Sequence, residues 1–196
     1  MDNNIDTKEE LKIKNQEMLL NKKKIDLDTS MESLVVFYNN YSINLANEIN
    51  NQVCLMKKIE ADSEQGTIIL NTIIGFLTIL SNKLQELIYS KTGEIKEKLD
   101  TITDEDYNKE LNYMSISVHN QLLEFYGESI NMLIDELTSD TDDVTKDRIS
   151  NYLFEIVYGK MMGMLRDKFM YSIRVISNNR EENYQVIQEI NEKTIK

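Results

Sequence analysis

Apolar residues along this chain recur at steps of three and four, the period of an α-helix buried on one side. No pair of runs shows the alternation and turn chemistry of a β-hairpin. The pattern divides into five helical segments. The first, about 6–27, sets Leu11, Met18 and Ile25 at heptad spacing, with Leu20 and Leu27 widening the stripe. Its other positions are mostly charged or amide, so it needs a partner surface to be stable.

The second segment opens on Thr29-Ser30-Met31-Glu32, a capping box that satisfies the free amides of a helix start. Met31, Val35, Tyr38, Ser42, Leu45, Ile49, Val53 and Met56 then form a heptad-like seam, which predicts a helix over 30–61. Phe37, Tyr41 and Ile43 lie off that seam and broaden it. The third segment is the most apolar and holds no charge from Gln65 to Asn82. It runs on through Leu84, Leu87 and Ile88 to about Ser90. Thr92-Gly93 reads as a break with Gly93 just past the helix end, followed by a short helical piece over 94–100.

Thr103 is the expected N-cap of a fourth segment, with Asp104, Glu105 and Asp106 at the positive end of its dipole. Its buried face reads Leu111, Met114, Val118, Leu122, Phe125, Met132 or Leu133, and Leu137, with Gly127 as a costly interior residue. Residues 138–143 (Thr-Ser-Asp-Thr-Asp-Asp) are the clearest loop and cap cluster. A fifth segment, 143–178, follows through Ile149, Leu153, Ile156, Val157, Met161, Met164, Leu165, Phe169, Ile173 and Ile176. Asn178-Asn179 are expected to end or bend it, with Ile187 and Ile190 allowing a frayed continuation.

These elements predict an all-α fold: an elongated antiparallel helical bundle, coiled-coil-like, with four to five long helices and no β-sheet. The expected organisation is an N-terminal amphipathic helix over 1–28, a bundle core over 29–180 and a frayed helical tail over 181–196.

Composition sharpens this picture. The 196 residues include no proline, so nothing punctuates long helices. The net charge is -12, of which -8 falls in residues 63–138. That balance argues against direct nucleic-acid binding, which needs a clustered basic surface, and Lys22-Lys23-Lys24 is too short to supply one. The acidic helix from Glu94 to Glu136 could meet a basic partner or simply keep the protein soluble. The first residues carry acids where a signal peptide carries positive charge, so the expected compartment is the cytoplasm of the producing cell, or a virion. The chain holds 24 Ile, 21 Asn and 18 Lys against 4 Arg, a set that AT-rich codons favour. A phage, another virus or an AT-rich bacterium is the expected source.

Candidate chemistry is sparse. One cysteine, Cys54, and one histidine, His119, exclude cysteine-pair zinc sites and multi-histidine sites. His119 has no orienting carboxylate at helical spacing, and Cys54 lies between Val53 and Leu55 in an apolar helix. Asp104, Asp106 and Asn108 match the first, third and fifth places of an EF-hand loop, but Lys109 stands where glycine is needed and Ser115 where a bidentate glutamate is needed. No metal and no cofactor are expected. The uncharged 65–82 segment approaches the length of a membrane span. Thr67, Asn71, Gly75, Thr78 and Asn82 fall on one stripe of it, which suits a central core helix touching solvent along a seam. Gly159 and Gly163, one turn apart in a methionine-rich stretch, suit a close helix crossing. No stretch carries a residue-level family signature.

The expected function is therefore non-enzymatic: protein–protein interaction or assembly by helix-face docking. The expected faces are Met31, Val35, Tyr38, Leu45 and Ile49 of the seam, and Gly159, Met162 and Gly163. The partner would be another protein or a second copy. The alternative is a membrane-active, pore-forming or holin-like protein that inserts the 65–82 helix.

Overall fold

The computed structural model describes the chain from residue 3 to 194, with the side chains of residues 10–155 and 157–179. The fold is all-α, with no strand among the described residues. Helix α1 spans Asn3–Lys57, α2 Glu64–Lys98 and α3 Asp104–Thr138. Helix α4 (Asp143–Asn151) passes through a π-helical stretch, Tyr152–Val157, directly into α5 (Tyr158–Thr194). α1 packs on α2 and α5, and α3 packs on the same two, so the four rods stand at the corners of a bundle. Cross-helix ion pairs mark the antiparallel register: Lys96 of α2 with Asp28 of α1, Lys98 of α2 with Glu110 of α3, and Lys160 of α5 with Glu48 of α1.

The helix starts follow the local sequence. Ser63 accepts from the Gly66 amide, Thr103 from the Asp106 amide and Asp142 from the Thr145 amide, each filling one orphan donor. Gly66 also admits a close turn: a Cβ there would sit 2.6 Å from the Glu60 carbonyl oxygen.

Several boundaries differ from the sequence expectation, each for a packing reason. α1 does not break at 28–29, and the Thr29–Glu32 box caps nothing. The Ser33 hydroxyl donates to the Thr29 carbonyl 2.8 Å away inside a continuous helix. Leu27 and Met31, one turn apart, are both fully buried and carry the core stripe across the expected break. That stripe also decides the first segment. Leu11, Met18 and Ile25 are solvent-facing, with Ile25 62% exposed. Ile25 and Leu27 lie about 200° apart around a helix, so only one can face the core. α2 likewise runs through Thr92 and Gly93, because Ile95 and Leu99 extend its buried face. In α3 it is Leu133 that is buried, and Met132 is 68% exposed. α5 continues past Asn178-Asn179 as helical backbone to Thr194. The side chains of Ile156, Ile187 and Ile190 lie outside the described residues.

α1 ends at Lys57 rather than 61. The Ile59 amide donates to the Cys54 carbonyl at 2.9 Å and the Lys58 amide to Leu55 at 3.3 Å, the two bonds of a Schellman end. Lys58 takes the left-handed position with φ 59°, where a Cβ is penalised. Lys58→Gly is expected to raise stability by about 1 kcal/mol. A thermal melt checks this, and a lower midpoint would mean that the lysine side chain contributes more than the strain costs.

α3 has no basic residue in its last turn. Lys57 of α1 supplies one: its Nζ donates to the Leu137 carbonyl at 2.9 Å and to Asp140 Oδ1, and its side chain is 7% exposed. The Lys57 hydrogen bond holds the Asp140 carboxyl below the usual carboxylate range. That part of the stability is present above the unfolded value, about 3.9, and is lost as pH falls through the depressed folded value. Asp140 is largely exposed, so solvent screens its share. The main cost of Lys57→Met is the uncapped Leu137 carbonyl, about 1–3 kcal/mol. Urea unfolding should show that loss at neutral pH and a smaller gap near pH 2, whereas an equal gap at both would remove Asp140 from the account.

Candidate functional site

The surface feature that stands apart is a face with no charge. Between Ser33 and Met56, α1 carries one charged residue, Glu48, and that is paired with Lys160 of α5. α2 carries none from Gln65 to Asn82. The fold sets these two stretches side by side and antiparallel, with the Ser81 hydroxyl hydrogen-bonded to Asn39 Oδ1. Between them lies a groove of about 260 Å³ lined by Asn39, Ser42, Ile43, Ala46, Ile74, Leu77, Thr78, Ser81 and Asn82.

The side chains that reach solvent here are aliphatic or amide. Ile43 and Ile74 are exposed at the groove, as are Asn39, Asn40, Asn44 and Asn47 on α1; Ile68 and Ile79 are exposed on the other flank of α2, where Ile68 lines a second groove with Lys57, Glu136 and Asp140. Thr67, Asn71, Gly75, Thr78 and Asn82 form the exposed stripe of α2. Local bonds satisfy several hydroxyls: Thr78 donates to the Ile74 carbonyl at 2.8 Å and Ser42 to the Tyr38 carbonyl at 2.9 Å. Asn47 Nδ2 donates to the Ile43 carbonyl at 3.1 Å and Asn39 Oδ1 accepts from Ser81, so these amides are partly satisfied within the chain.

α2 is accordingly not the central helix expected from its apolarity. It stands at one corner of the bundle, and 28% of its most apolar window is buried. Among the described residues it is the one helix whose length and composition suit a membrane span. The sequence stripe located its solvent seam but not the isoleucines beside it. The α1 half of the face was missed altogether. Its signal was available in the uncharged run from Ser33 to Asn47, which gains meaning only once α1 lies against α2.

The expected interaction residues lie elsewhere. Met31, Val35, Tyr38, Leu45 and Ile49 are at most 5% exposed and line the core of the single chain. Their seam is used within the molecule, so in this fold it is closed to a partner. Met162 is buried as well. Gly159 is exposed and Gly163 half-buried, and nothing lies within 4 Å of a Cβ placed on either. The close crossing expected there is not made within the bundle.

No catalytic grouping is assembled from Cys54 and His119. Cys54 is near the end of α1, where Lys57 meets Leu137 of α3. His119 lies about 27 Å back along α3 from Leu137, at 1.5 Å per residue. Burial pushes the Cys54 thiol up, away from the nucleophilic thiolate. The EF-hand-like acids have other work: Asp104 pairs with Lys23 at 2.8 Å, and Asp106 bonds the Thr103 hydroxyl at 2.7 Å. Among the described residues, no three His, Cys, Asp or Glu side chains are grouped to hold a metal.

A buried aromatic cluster surrounds the π-helical stretch. Tyr126 stands edge-on to Phe76 at 6.0 Å and tilted to Tyr158 at 5.3 Å. Its hydroxyl donates to the Leu153 carbonyl at 2.9 Å. The Tyr38 hydroxyl is buried without a partner, and burial raises its pKa well above the usual phenol range. These groups hold the core.

Comparison with known proteins finds no match to this chain among protein-family models, curated proteins or solved structures.

Proposed function

We propose that this protein is a non-enzymatic interaction or assembly protein that works by docking the charge-free α1/α2 face onto a helical surface. One observation carries the reading. A chain that is 29% charged leaves residues 65–82 of α2 and, but for Glu48, residues 33–56 of α1 without charge, with Ile43 and Ile74 exposed beside the groove between them. Isolated exposed isoleucines need no explanation, but a contiguous apolar patch rimmed by polar groups marks a contact surface. The amides fix register and the isoleucines supply area. The codon-biased composition suits a phage, another virus or an AT-rich bacterium as the source and does not bear on the function.

The test is a photo-crosslinking residue at position 74 in cells that make the protein, with the same residue at exposed Glu97 as control. Specific adducts at 74 support the reading. Equal labelling at both positions sinks it.

A second reading rests on the same helix. α2 is long and apolar enough to span a bilayer, and its stretch from Gln65 to Asn82 carries no charge to oppose insertion. A membrane-active protein would float with lipid vesicles and lose that behaviour on Ile74→Asp, while docking predicts no flotation.

A further inference from the structure

We propose that the extra residue of the π-helical stretch slides between two places. Its turn occupies either Tyr152–Val157 or the next turn of the same helix, and the Tyr126 hydroxyl is the latch that holds it in the first. Such a switch works whatever the α1/α2 face meets.

The buried stripe fits the extra residue at more than one step. From Ile149 to Ile173 the buried side chains recur at six consecutive steps of four. At 100° per residue each step overshoots one turn by about 40°, so the run gathers roughly 240°. One inserted residue takes back about 100° of this. It does so equally well between Leu153 and Val157 or between Val157 and Met161. The pattern therefore asks for a π turn without fixing its place.

The Leu153 carbonyl fixes it. That oxygen accepts the Tyr158 amide, a bond that spans five residues, and also the Tyr126 hydroxyl at 2.9 Å. The next turn is suited to receive the extra residue. It contains Gly159, which leaves regular helix geometry at lower cost than a residue with a Cβ. It ends on Met161 and Met162, both buried and unbranched, which can refill an altered space. The sequence holds aliphatic residues at both 156 and 157, so neither register brings a polar residue to the core at this step.

Moving the turn leaves Leu153, Met161 and everything beyond them in place, because the number of residues between them is unchanged. The residues between rotate by about 100° and shift by about 1.5 Å. The Leu153 carbonyl then takes the Val157 amide. Tyr158, tilted against Tyr126 at 5.3 Å in the first register, turns off that ring. Phe154 and Glu155 are exposed at the start of the moving piece, so a contact outside the bundle selects a register inside it.

Relaxation-dispersion NMR of the full chain tests this, with ¹⁵N in the backbone and fluorotyrosine at position 158. Helix register shifts fall in the microsecond-to-millisecond range that the method reads. Amides from 154 to 161 should exchange at one common rate, and the fluorine at 158 should report two environments at that same rate. Amides beyond Leu165 should be quiet. Tyr126→Phe removes the latch and should raise the second population roughly five-fold. Gly159→Ala, at an exposed site with nothing within 4 Å of the new Cβ, favours the regular helix there and should lower it by a similar factor. Deleting Glu155 removes the extra residue and should abolish the exchange; the two point variants decide the matter if that chain does not fold. Flat dispersion with a single narrow fluorine line in both the parent and Tyr126→Phe would overturn the proposal. So would exchange spread along all of α5, exchange that survives the deletion, or populations indifferent to both point variants.

Discussion

Ile73→Asp should abolish cooperative unfolding, while Ile74→Asp should melt like the parent chain. The two residues are neighbours in sequence and opposite in environment: Ile73 is 0% exposed and Ile74 is 43% exposed. A carboxylate at 73 would be fully buried in the hydrophobic core. Such a group either stays charged at a cost of many kcal/mol or takes up a proton and still lacks a partner. Losing the isoleucine itself adds about 2–4 kcal/mol of transfer and cavity cost. A typical domain has only about 5–15 kcal/mol in total, so little folded protein should remain. At 74 the same change puts a charge into water, and the helix loses only a few tenths of a kcal/mol. Far-UV circular dichroism across a thermal ramp separates the cases. A native-like melt for Ile73→Asp would mean that α2 does not face the core as described. A collapse of Ile74→Asp would mean that its outer face is already covered.

The second large effect concerns the π-helical stretch. Deleting exposed Glu155 within it should leave a folded bundle, whereas deleting exposed Glu124 in α3 should destroy one. The buried residues Ile149, Leu153, Val157, Met161, Leu165, Phe169 and Ile173 step by four throughout. An α-helix turns every 3.6 residues, so such a stripe drifts by about 40° at each step. A π turn holds one extra residue per turn and takes up that drift. Removing a residue there shortens the one step from Leu153 to Val157 from four to three and leaves the others at four, so a regular α turn can replace the π turn without moving the buried face that follows. The expected cost is below about 2 kcal/mol, mostly from disturbing the Tyr126–Leu153 hydrogen bond. In α3 no such slack exists. Deleting Glu124 turns Tyr126, Ile130, Leu133, Ile134 and Leu137 by about 100° out of the core. Exposing each costs about 1.5–3 kcal/mol, so the five together rival the whole stability of a domain. Comparable urea midpoints for the two deletions would refute this view of the π stretch.

How far the sequence could be read depended on what each pattern encodes. The caps at Thr103 and Asp142 were legible because the bond runs three residues along the chain. The seam from Met31 to Met56 was legible as buried, but an apolar seam does not say whether it meets its own chain or another. Leu11 and Leu27 show the same limit at closer range. Both lie on apolar stripes, and only the position of α2 and α5 around α1 decides which stripe is inside. The π stretch was signalled by the unbroken four-residue spacing, which a list of apolar positions passes over unless the step itself is tested against 3.6. The charge-free face needed two helices brought together from distant sequence, and one of them looked unremarkable alone.

The ring order of the helices also sets a schedule for synthesis. α1 is made first, and α2 can fold back on it as soon as the short turn after Lys57 emerges. The other flank of α1 waits for α5: Glu48 and its partner Lys160 are 112 residues apart. At about 5–20 residues per second the ribosome takes on the order of ten seconds to cover that interval. During it, α1, α2 and α3 form an open three-helix layer whose last edge is uncovered. On a crowded polysome the helix that closes that edge can come from a neighbouring nascent chain, and exchanged pairs are the characteristic failure that this topology invites.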